Sequence, residues 1–528
     1  MDERAISRRT LLAAAAGAVG TAVPQGAGFM FTQFGTSNPR DGEALRDASG
    51  WVNAVTADVY ASLFGVYNVK AYGARGDGVT DDAAAIATAI AAVPGQGGIV
   101  YFPPGVYLLN SSVVVNARTD LSFAGAGVAA TRLQMNANGV SVLSFTGVCS
   151  RITIRDLWLG AVASFASGGS ISIVGTSGVH SDTFLIENVR LQNTPLPWFS
   201  QYLDNSQIRN VRIMQTIPGA VKSVVMLMNT CVSNTFAEVL MLSTAGQFAS
   251  EGVRVDHDCD TIIFINSQVL HAGTVGWRCA QTGGHTGPRL CRFTNCYAES
   301  CTSSGWLIEA ARDVRLSGCH AAVNGGHGFE LTGGDSIAVS NSLSLSNNQH
   351  GILVTGGTGV ILDGNTCSNN SQQASVTYSG IRIGNRVTGV RVVNNRCGDF
   401  IFPLRSKQAY GIAADSATDF LVVTGNDLRG NGMSPINDAL LGTNCTIARN
   451  LGVRVGGVSA ISMRASPFSY TDDDGVPEAV YITGGMVSAV AKNGVTVFTA
   501  SPCTVYLEPG EAVTVTYSVA PTMNKDRK

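Results

Sequence analysis

Gly252-Val-Arg-Val255, Gly276-Trp-Arg-Cys279, Gly305-Trp-Leu-Ile308, Gly328-Phe-Glu-Leu331, Gly351-Ile-Leu-Val354, Gly380-Ile-Arg-Ile383 and Gly411-Ile-Ala-Ala414 repeat one pattern. Each is a glycine, an apolar residue, a variable residue and usually a second apolar residue. The glycines are 24, 29, 23, 23, 29 and 31 residues apart. Self-similarity at 20 to 50 residues marks a solenoid, in which each repeat buries its apolar face only against its neighbours. A second short apolar run follows in each repeat, such as Ile337-Ala-Val339, Val360-Ile-Leu362, Val390-Arg-Val-Val393 and Phe420-Leu-Val-Val423. Alternating runs of three to five residues, split by Gly, Asn and Ser, are strand-and-turn chemistry, and no helical period of usable length is present. The pattern predicts an all-β chain: a right-handed parallel β-helix with rungs about 4.8 Å apart.

An Asn or Gly often follows the second run: Asn266, Asn295, Gly318, Asn341, Asn365, Asn395 and Asn426. These predict a ladder of side-chain amides hydrogen-bonded along the coil. Twelve cysteines accompany it. Cys296 and Cys319 follow equivalent ladder positions, and Cys367 and Cys397 recur in the same way. The expectation is stacked free thiols in the core rather than a disulfide framework, and no paired C-x-x-C spacing supports a zinc site.

The 528 residues include 61 Gly, and only 14% are charged, with a net charge of −2. That balance selects neither nucleic acid nor an anionic membrane as partner. Residues 1–27 read as an export signal: Ser7-Arg8-Arg9-Thr10-Leu11-Leu12 precedes a weakly apolar run, Ala13 to Val23, too short to span a membrane. The expected location is extracellular or in the cell envelope, with no membrane span in the mature chain. Residues 28–65 read as a lead-in, with a short helix around Trp51 to Leu63.

The next segment runs Val69-Lys-Ala-Tyr-Gly-Ala-Arg-Gly-Asp-Gly-Val-Thr-Asp-Asp82, then an Ala-rich stretch to Val93, then Gly97-Gly-Ile-Val-Tyr-Phe-Pro-Pro-Gly-Val-Tyr107. This is strand, Gly-rich turn, helix and strand. Thr80 or Asp81 is the expected N-cap, and Asp82 suits the positive end of the helix dipole. An amphipathic helix here is expected to cover the open end of the coil. The segment resembles the N-terminal signature of the pectate-lyase-like superfamily, in the branch related to polygalacturonases, fungal exo-β-1,3-glucanases and phage tailspike depolymerases. The resemblance implies a coil over residues 66–455 and a carbohydrate substrate. It leaves the reaction open, because members include hydrolases, lyases, epimerases, a transferase and proteins without activity. Asp77, Asp81 and Asp82 belong to the capping motif and read as structural.

Earlier rungs are expected at Leu121-Ser-Phe, Ile152-Thr-Ile, Ile171-Ser-Ile, Phe184-Leu-Ile and Ile208 to Ile213. Gly160 to Gly169 and Pro195 to Asn205 read as loops walling a groove, with Trp158, Trp198, Phe199 and Tyr202 as sugar-stacking candidates. Trp277 and Trp306 fill the apolar slot after a repeat glycine and read as core. Residues 466–522, with turns at Asp474-Gly475, Asn493-Gly494 and Pro509-Gly510, read as a small antiparallel β domain. It is expected to cap the coil, mediate oligomerisation (a homotrimer among the options) or help hold substrate.

The candidate chemistry follows from the repeat. If the residues one and three places after the glycine point inward, those at two and four point outward. The outward set concentrates Arg254, Asp256, Arg278, Glu309 and Glu330, and the residues just before the glycine add Ser304, His327 and His350. Glu309 and Glu330 stand one rung apart and two residues out of step, placing their backbones about 8 Å apart. Carboxylates so spaced leave room for a water, one acting as general acid and the other as base of a glycoside hydrolase. The predicted catalytic set is Glu309, Glu330 and His327; Arg278, Arg254, His350 and Asp256 are predicted to bind a polysaccharide or oligosaccharide. Asp256, Asp258 and Asp260 form a candidate Ca²⁺ cluster, although Thr261 and Ser267 stand where an EF-hand loop has Gly and Glu; the alternative is a strand-end turn. No other cofactor is expected. Glu299, His271 and His320 fall on another edge of the coil.

The resemblance qualifies this. Gly326-His327-Gly328 matches a polygalacturonase motif and Arg382-Ile383-Gly384 matches another in part, but no Asp-Asp pair precedes that His at the right place and Asn-Thr-Asp is absent. Phe329-Glu-Leu-Thr-Gly333 is similar to a glutamate-bearing rung of inulin fructotransferases. A glycoside hydrolase is the first expectation; a polysaccharide lyase and a non-catalytic, tailspike-like glycan-binding protein are the alternatives.

Overall fold

The computed structural model describes residues 64–527, apart from 245, 247, 249, 385–386, 401–407, 416–417, 438–443, 454–456 and 473–476. The export segment, the helix expected near Trp51 and the Asp474-Gly475 turn lie outside the described residues.

A coil of parallel strands runs from Val66–Asn68 to Thr446–Ala448. One face is a 13-stranded sheet from Val113–Asn116 to Ser434–Asn437. The other two faces join into a 25-stranded sheet, because in the early rungs single long strands run through both. Thr235–Ser243 shows this: its first half pairs with Ile263–Ile265 and its second with Gln268–Leu270. The corner is a column of left-handed residues, Asp156, Asn188, Asn210, Glu238, Asn266, Asn295 and Asn341, all at φ between 49° and 60°. Asn and Asp tolerate that region better than other side-chain-bearing residues.

The seven repeat glycines occupy equivalent positions, and the residues after them pair in register: Val253, Trp277, Trp306, Phe329, Ile352, Ile381 and Ile412. Close approach explains the glycine. A Cβ on Gly328 would lie 2.5 Å from the Gly351 carbonyl oxygen, and one on Gly276 2.7 Å from that of Gly305. The inward residues stack. The rings of Trp277 and Trp306 lie 5.1 Å apart at 7°, with Phe329 next in line at 5.9 Å. Both tryptophans are core, as the pattern predicts. All twelve cysteines are free, and all but Cys503 are buried.

The predicted amide ladder divides in two. Asn266, Asn295 and Asn341 belong to the left-handed corner column and are exposed to solvent. The buried ladder lies one residue later: Asn365 donates to Asn395, Asn395 to Asn426 and Asn426 to Asn450, at 2.9, 3.0 and 2.9 Å. A second ladder, absent from the sequence reading, runs from Asn324 through Asn347 and Asn370 to Gln408, each step 2.9 Å. Each asparagine amide also donates to a backbone carbonyl, as Asn347 does to that of Ala321, so few buried polar atoms are left unpaired.

The helix is Ala83–Ala92, burying Ala83, Ile86, Ala89 and Ile90 in the coil's core cluster. The three aspartates are structural, as expected. Asp81 Oδ1 accepts from the Ala83 N–H, and the buried Asp82 ties down the Gly-rich turn by accepting from Arg75 and Gly76 N–H at 2.6 and 3.0 Å. Asp77 accepts from Val79 and Thr80, and these bonds hold its carboxyl down at about 2.

Residues 459–527 form two four-stranded antiparallel sheets around their own core of Val480, Ile482, Val490, Val505, Leu507, Val513, Val515 and Met523. The Asn493-Gly494 turn joins Met486–Lys492 to Val495–Phe498. No helix among the described residues is long and apolar enough to cross a membrane.

Candidate functional site

The 13-stranded sheet aligns the variable slot of each repeat into one outward row: Arg254, Arg278, Leu307, Glu330, Leu353 and Arg382, all half-buried. The row continues toward the N-terminus as Leu227, Phe199, Ser172 and Ser144, without charge. Glu330 sits opposite Leu307, so Glu309 stands two residues past it on the preceding rung, the offset read from the sequence.

The predicted arginines are not free. Arg278 grips Glu309 through two bonds, Nε to Oε2 at 2.7 Å and Nη2 to Oε1 at 3.0 Å. Its Nη1 donates to Glu251 Oε1 at 2.6 Å, and Arg254 makes a second bidentate pair with Glu251 at 2.6 and 2.7 Å. Glu251 is 5% exposed. Burial alone raises its carboxyl, but the Arg254 and Arg278 guanidiniums outweigh this and hold it below the usual carboxylate value. Glu251, Arg254, Arg278 and Glu309 form one chain of planar charge-assisted bonds across adjacent rungs. Sequence reasoning missed Glu251. The signal was present, a carboxylate in the column just before the repeat glycine that also holds Ser304, His327 and His350.

Glu330 is held differently. Its Oε2 accepts from the buried Ser304 hydroxyl at 2.5 Å, and Ser304 Oγ accepts from the His327 backbone N–H at 3.3 Å. No hydrogen bond reaches the other oxygen of Glu330 among the described residues. The imidazoles of His327 and His350 stack at 5.4 Å and 11°. The Nδ1 of His327 accepts the His350 backbone N–H at 3.2 Å, and that of His350 accepts the Ser379 N–H at 2.9 Å. An acceptor Nδ1 fixes the neutral tautomer with the proton on Nε2. Burial pushes the His327 pKa down, with Glu330 opposing; His350 is pushed to about 3 by burial, with help from His327 and Arg382. His350 is thus a core residue of the histidine column, 8% exposed, not the open substrate contact expected.

Asp256 also departs from expectation. It is 3% exposed, accepting from the Thr282 hydroxyl and the His257 backbone N–H. The strand has ended at Val255, so the inward–outward alternation no longer applies. Asp256, Asp258 and Asp260 do not converge on one point. Asp258 pairs with Thr286 and His285, and Asp260 with Arg289 at 2.7 Å.

The predicted aromatic wall is mostly core. Pro195 to Asn205 is largely strand, Leu196–Gln201 and Leu203–Asp204. Trp198 is fully buried, Trp158 is buried with its indole N–H donating to Gln192, and half-buried Tyr202 packs on His180 at 5.2 Å. Phe199 alone keeps a groove position: with Pro195, Lys222 and the loop residues Ser167 and Gly168 it lines a cavity of about 330 Å³. Glu299 and His320 lie in strands of another face, where Tyr297 covers the His320 ring at 4.2 Å.

Two family models match the chain. Residues 66–214 match the one described as rhamnogalacturonase A/epimerase, pectate lyase-like, and residues 228–397 match the right-handed β-helix region. A mannuronan C5-epimerase, AlgE6 of Azotobacter vinelandii, is 38% identical over 105 residues, 18% of this chain and 12% of that protein. The chain therefore matches only a small part of that relative's length. The A-module of the same epimerase superposes with a TM-score of 0.53 at 20% identity, covering 73% of this chain and 99% of the module. Tailspike protein 3 of bacteriophage CBA120 gives 0.51 at 13% identity, covering 82% and 72%. At these identities the two structures share the fold and carry no residue roles.

Proposed function

We propose, from the premise that this chain belongs to the pectate-lyase-like right-handed parallel β-helices, that it is an exported carbohydrate-active enzyme. It cleaves a polysaccharide laid across the outer face of the 13-stranded sheet as a glycoside hydrolase. The observation that carries this reading is the pair of differently held carboxylates, Glu309 locked onto Arg278 and Glu330 bonded only to Ser304, two residues out of step on adjacent rungs. Glu330, with one oxygen open, protonates the glycosidic oxygen. The C–O bond breaks, and a water aligned by Glu309 adds to the anomeric carbon and gives up its proton to the Glu309 carboxylate. His327, neutral beside Glu330, donates its Nε2–H to a sugar hydroxyl, and Arg278 fixes the direction of Glu309. The twin-arginine segment Ser7-Arg8-Arg9 supports export.

A panel of polysaccharides incubated with the protein tests this. New reducing ends without ultraviolet-absorbing products are expected, with turnover reduced about 10²-fold or more by Glu330→Gln while glycan binding persists. Binding without turnover, unchanged in Glu330→Gln and Glu309→Gln, sinks the enzyme reading in favour of a tailspike-like binder. A second reading, uronate epimerisation or β-elimination, draws support from the segment similar to the mannuronan epimerase. Unsaturated products, or inverted C5 configuration seen by NMR without chain cleavage, would favour it over hydrolysis.

A further inference from the structure

The sequence Asp256-His257-Asp258, just past the strand Val253–Val255, and the loop carrying His285, six residues past Trp277–Cys279, meet on adjacent rungs beyond the sheet that carries the candidate site. One ligand atom each of His257, Asp258 and His285 lies within 4.8 Å of the others, the one such trio of His, Cys, Asp or Glu among the described residues. His285 Nδ1 is 3.1 Å from Asp258 Oδ2, and the rings of His257 and His285 stack at 4.5 Å and 22°, so the exposed His285 ring turns out of this stack to share an ion with His257. The other nitrogen of the pair is already oriented. His257 Nδ1 lies 3.1 Å from the Thr282 hydroxyl, which in turn bonds the buried Asp256 carboxylate at 3.0 Å. A histidine braced at Nδ1 through a hydroxyl and a buried carboxylate presents Nε2 in a fixed direction, the outer support typical of a metal-binding imidazole. Asp258, alone of the three, lines a cavity of about 540 Å³ together with Gln281, Thr286, Arg289 and Arg312, which reaches Ala310, the residue after Glu309.

From this geometry we infer that His257, Asp258 and His285 bind one divalent transition-metal ion. Two imidazoles and one carboxylate favour Zn²⁺, Co²⁺ or Ni²⁺ over Ca²⁺, which takes oxygen ligands. Three protein ligands leave positions for water or a ligand entering the cavity. The ion also ties the loop 280–288 to the turn at 256–260 and so fixes one wall of the space beside Glu309. The inference stands apart from the proposed hydrolysis, since neither Glu309 nor Glu330 is a ligand.

Co²⁺ titration of the untagged, full-length protein tests it, followed by its visible d–d absorption and by calorimetry at pH 7.5. One equivalent binds, and His285→Ala, whose exposed side chain leaves the fold intact, weakens binding about 100-fold or more. Thr282→Val weakens it about 10-fold or more through loss of the His257 brace. Excess Ca²⁺ does not displace Co²⁺. Binding unchanged in the His257→Ala/His285→Ala double variant, intense sulfur charge-transfer bands from half-exposed Cys503, or no binding at micromolar Co²⁺ would each overturn the assignment. Loss in His257→Ala alone, with His285→Ala unaffected, would also overturn it.

Discussion

The early and middle rungs of the coil use one backbone plan for different ends. Between Ser150 and Ser243 four strands of the 25-stranded sheet are long, nine to twelve residues, running through the Asp156–Glu238 corner without a break. The outward row of the early rungs on the 13-stranded sheet is Ser144, Ser172, Phe199 and Leu227. From Gly252 to Gly351 most strands shrink to three residues, amide ladders take over the corners, and the same row becomes Arg254, Arg278, Leu307 and Glu330. The inward row hardly changes in character, passing from Trp198, Met226 and Val253 to Trp277, Trp306 and Phe329. Within a solenoid, fold and chemistry occupy alternate residues of one strand, so the chemistry varies from rung to rung while the core stays the same.

The sharpest way to break this division is to perturb an inward residue of a charged rung. Trp306→Ala should cost about 3–5 kcal/mol, because it opens a gap between Trp277 and Phe329; denaturant midpoints measure it. A cost below about 1 kcal/mol would mean that the inward stack does not hold these rungs. Gly328→Ala comes next, at about 1–3 kcal/mol, since the new Cβ meets the Gly351 carbonyl and the Ser344 hydroxyl. Thermal unfolding of this variant tests whether close approach, rather than backbone freedom, keeps the repeat glycine.

The histidine column sharpens the comparison through pH. His350 has its folded pKa depressed to about 3, against an ordinary value near 6.5. The unfolded chain takes the proton first as pH falls, so the stability from neutral His350 is complete above pH 6.5 and is lost progressively toward pH 3. Between pH 6.5 and 4.5 wild type should lose about 2 kcal/mol more than His350→Gln, which keeps an acceptor for the Ser379 N–H. Equal losses would show that His350 is not held neutral. The smallest effect is expected at Leu227→Ala, on the outward row of an early rung: within about 1 kcal/mol and without change in glycan turnover. A large loss of activity there would move the substrate toward the Phe199 cavity.

Much of the coil was legible in the sequence because its determinants are local. A glycine with apolar residues one and three places later fixes the facing of each strand, and all seven glycines fall in register. Asn266 and Asn365 show where local reading failed. Both follow an apolar run, yet one residue separates a left-handed corner from an inward amide, and the turn conformation decides between them. Asp256 failed for a related reason, as the alternation used to face it outward had ended with the strand at Val255.

The site was legible only as a list of candidates. The sequence alone determined the β-helix, the register of its rungs and which slots could hold charge, since the repeat is carried by neighbours along the chain. Tertiary structure alone decided which charges meet. Arg278 finds Glu309 31 residues away and Glu251 27 away, while Glu330 finds Ser304 26 away. These spans depend on the length of each intervening turn. The side chains that fill the outward slots are long enough to choose among several partners, so only the assembled stack fixes which carboxylate is locked and which is left open.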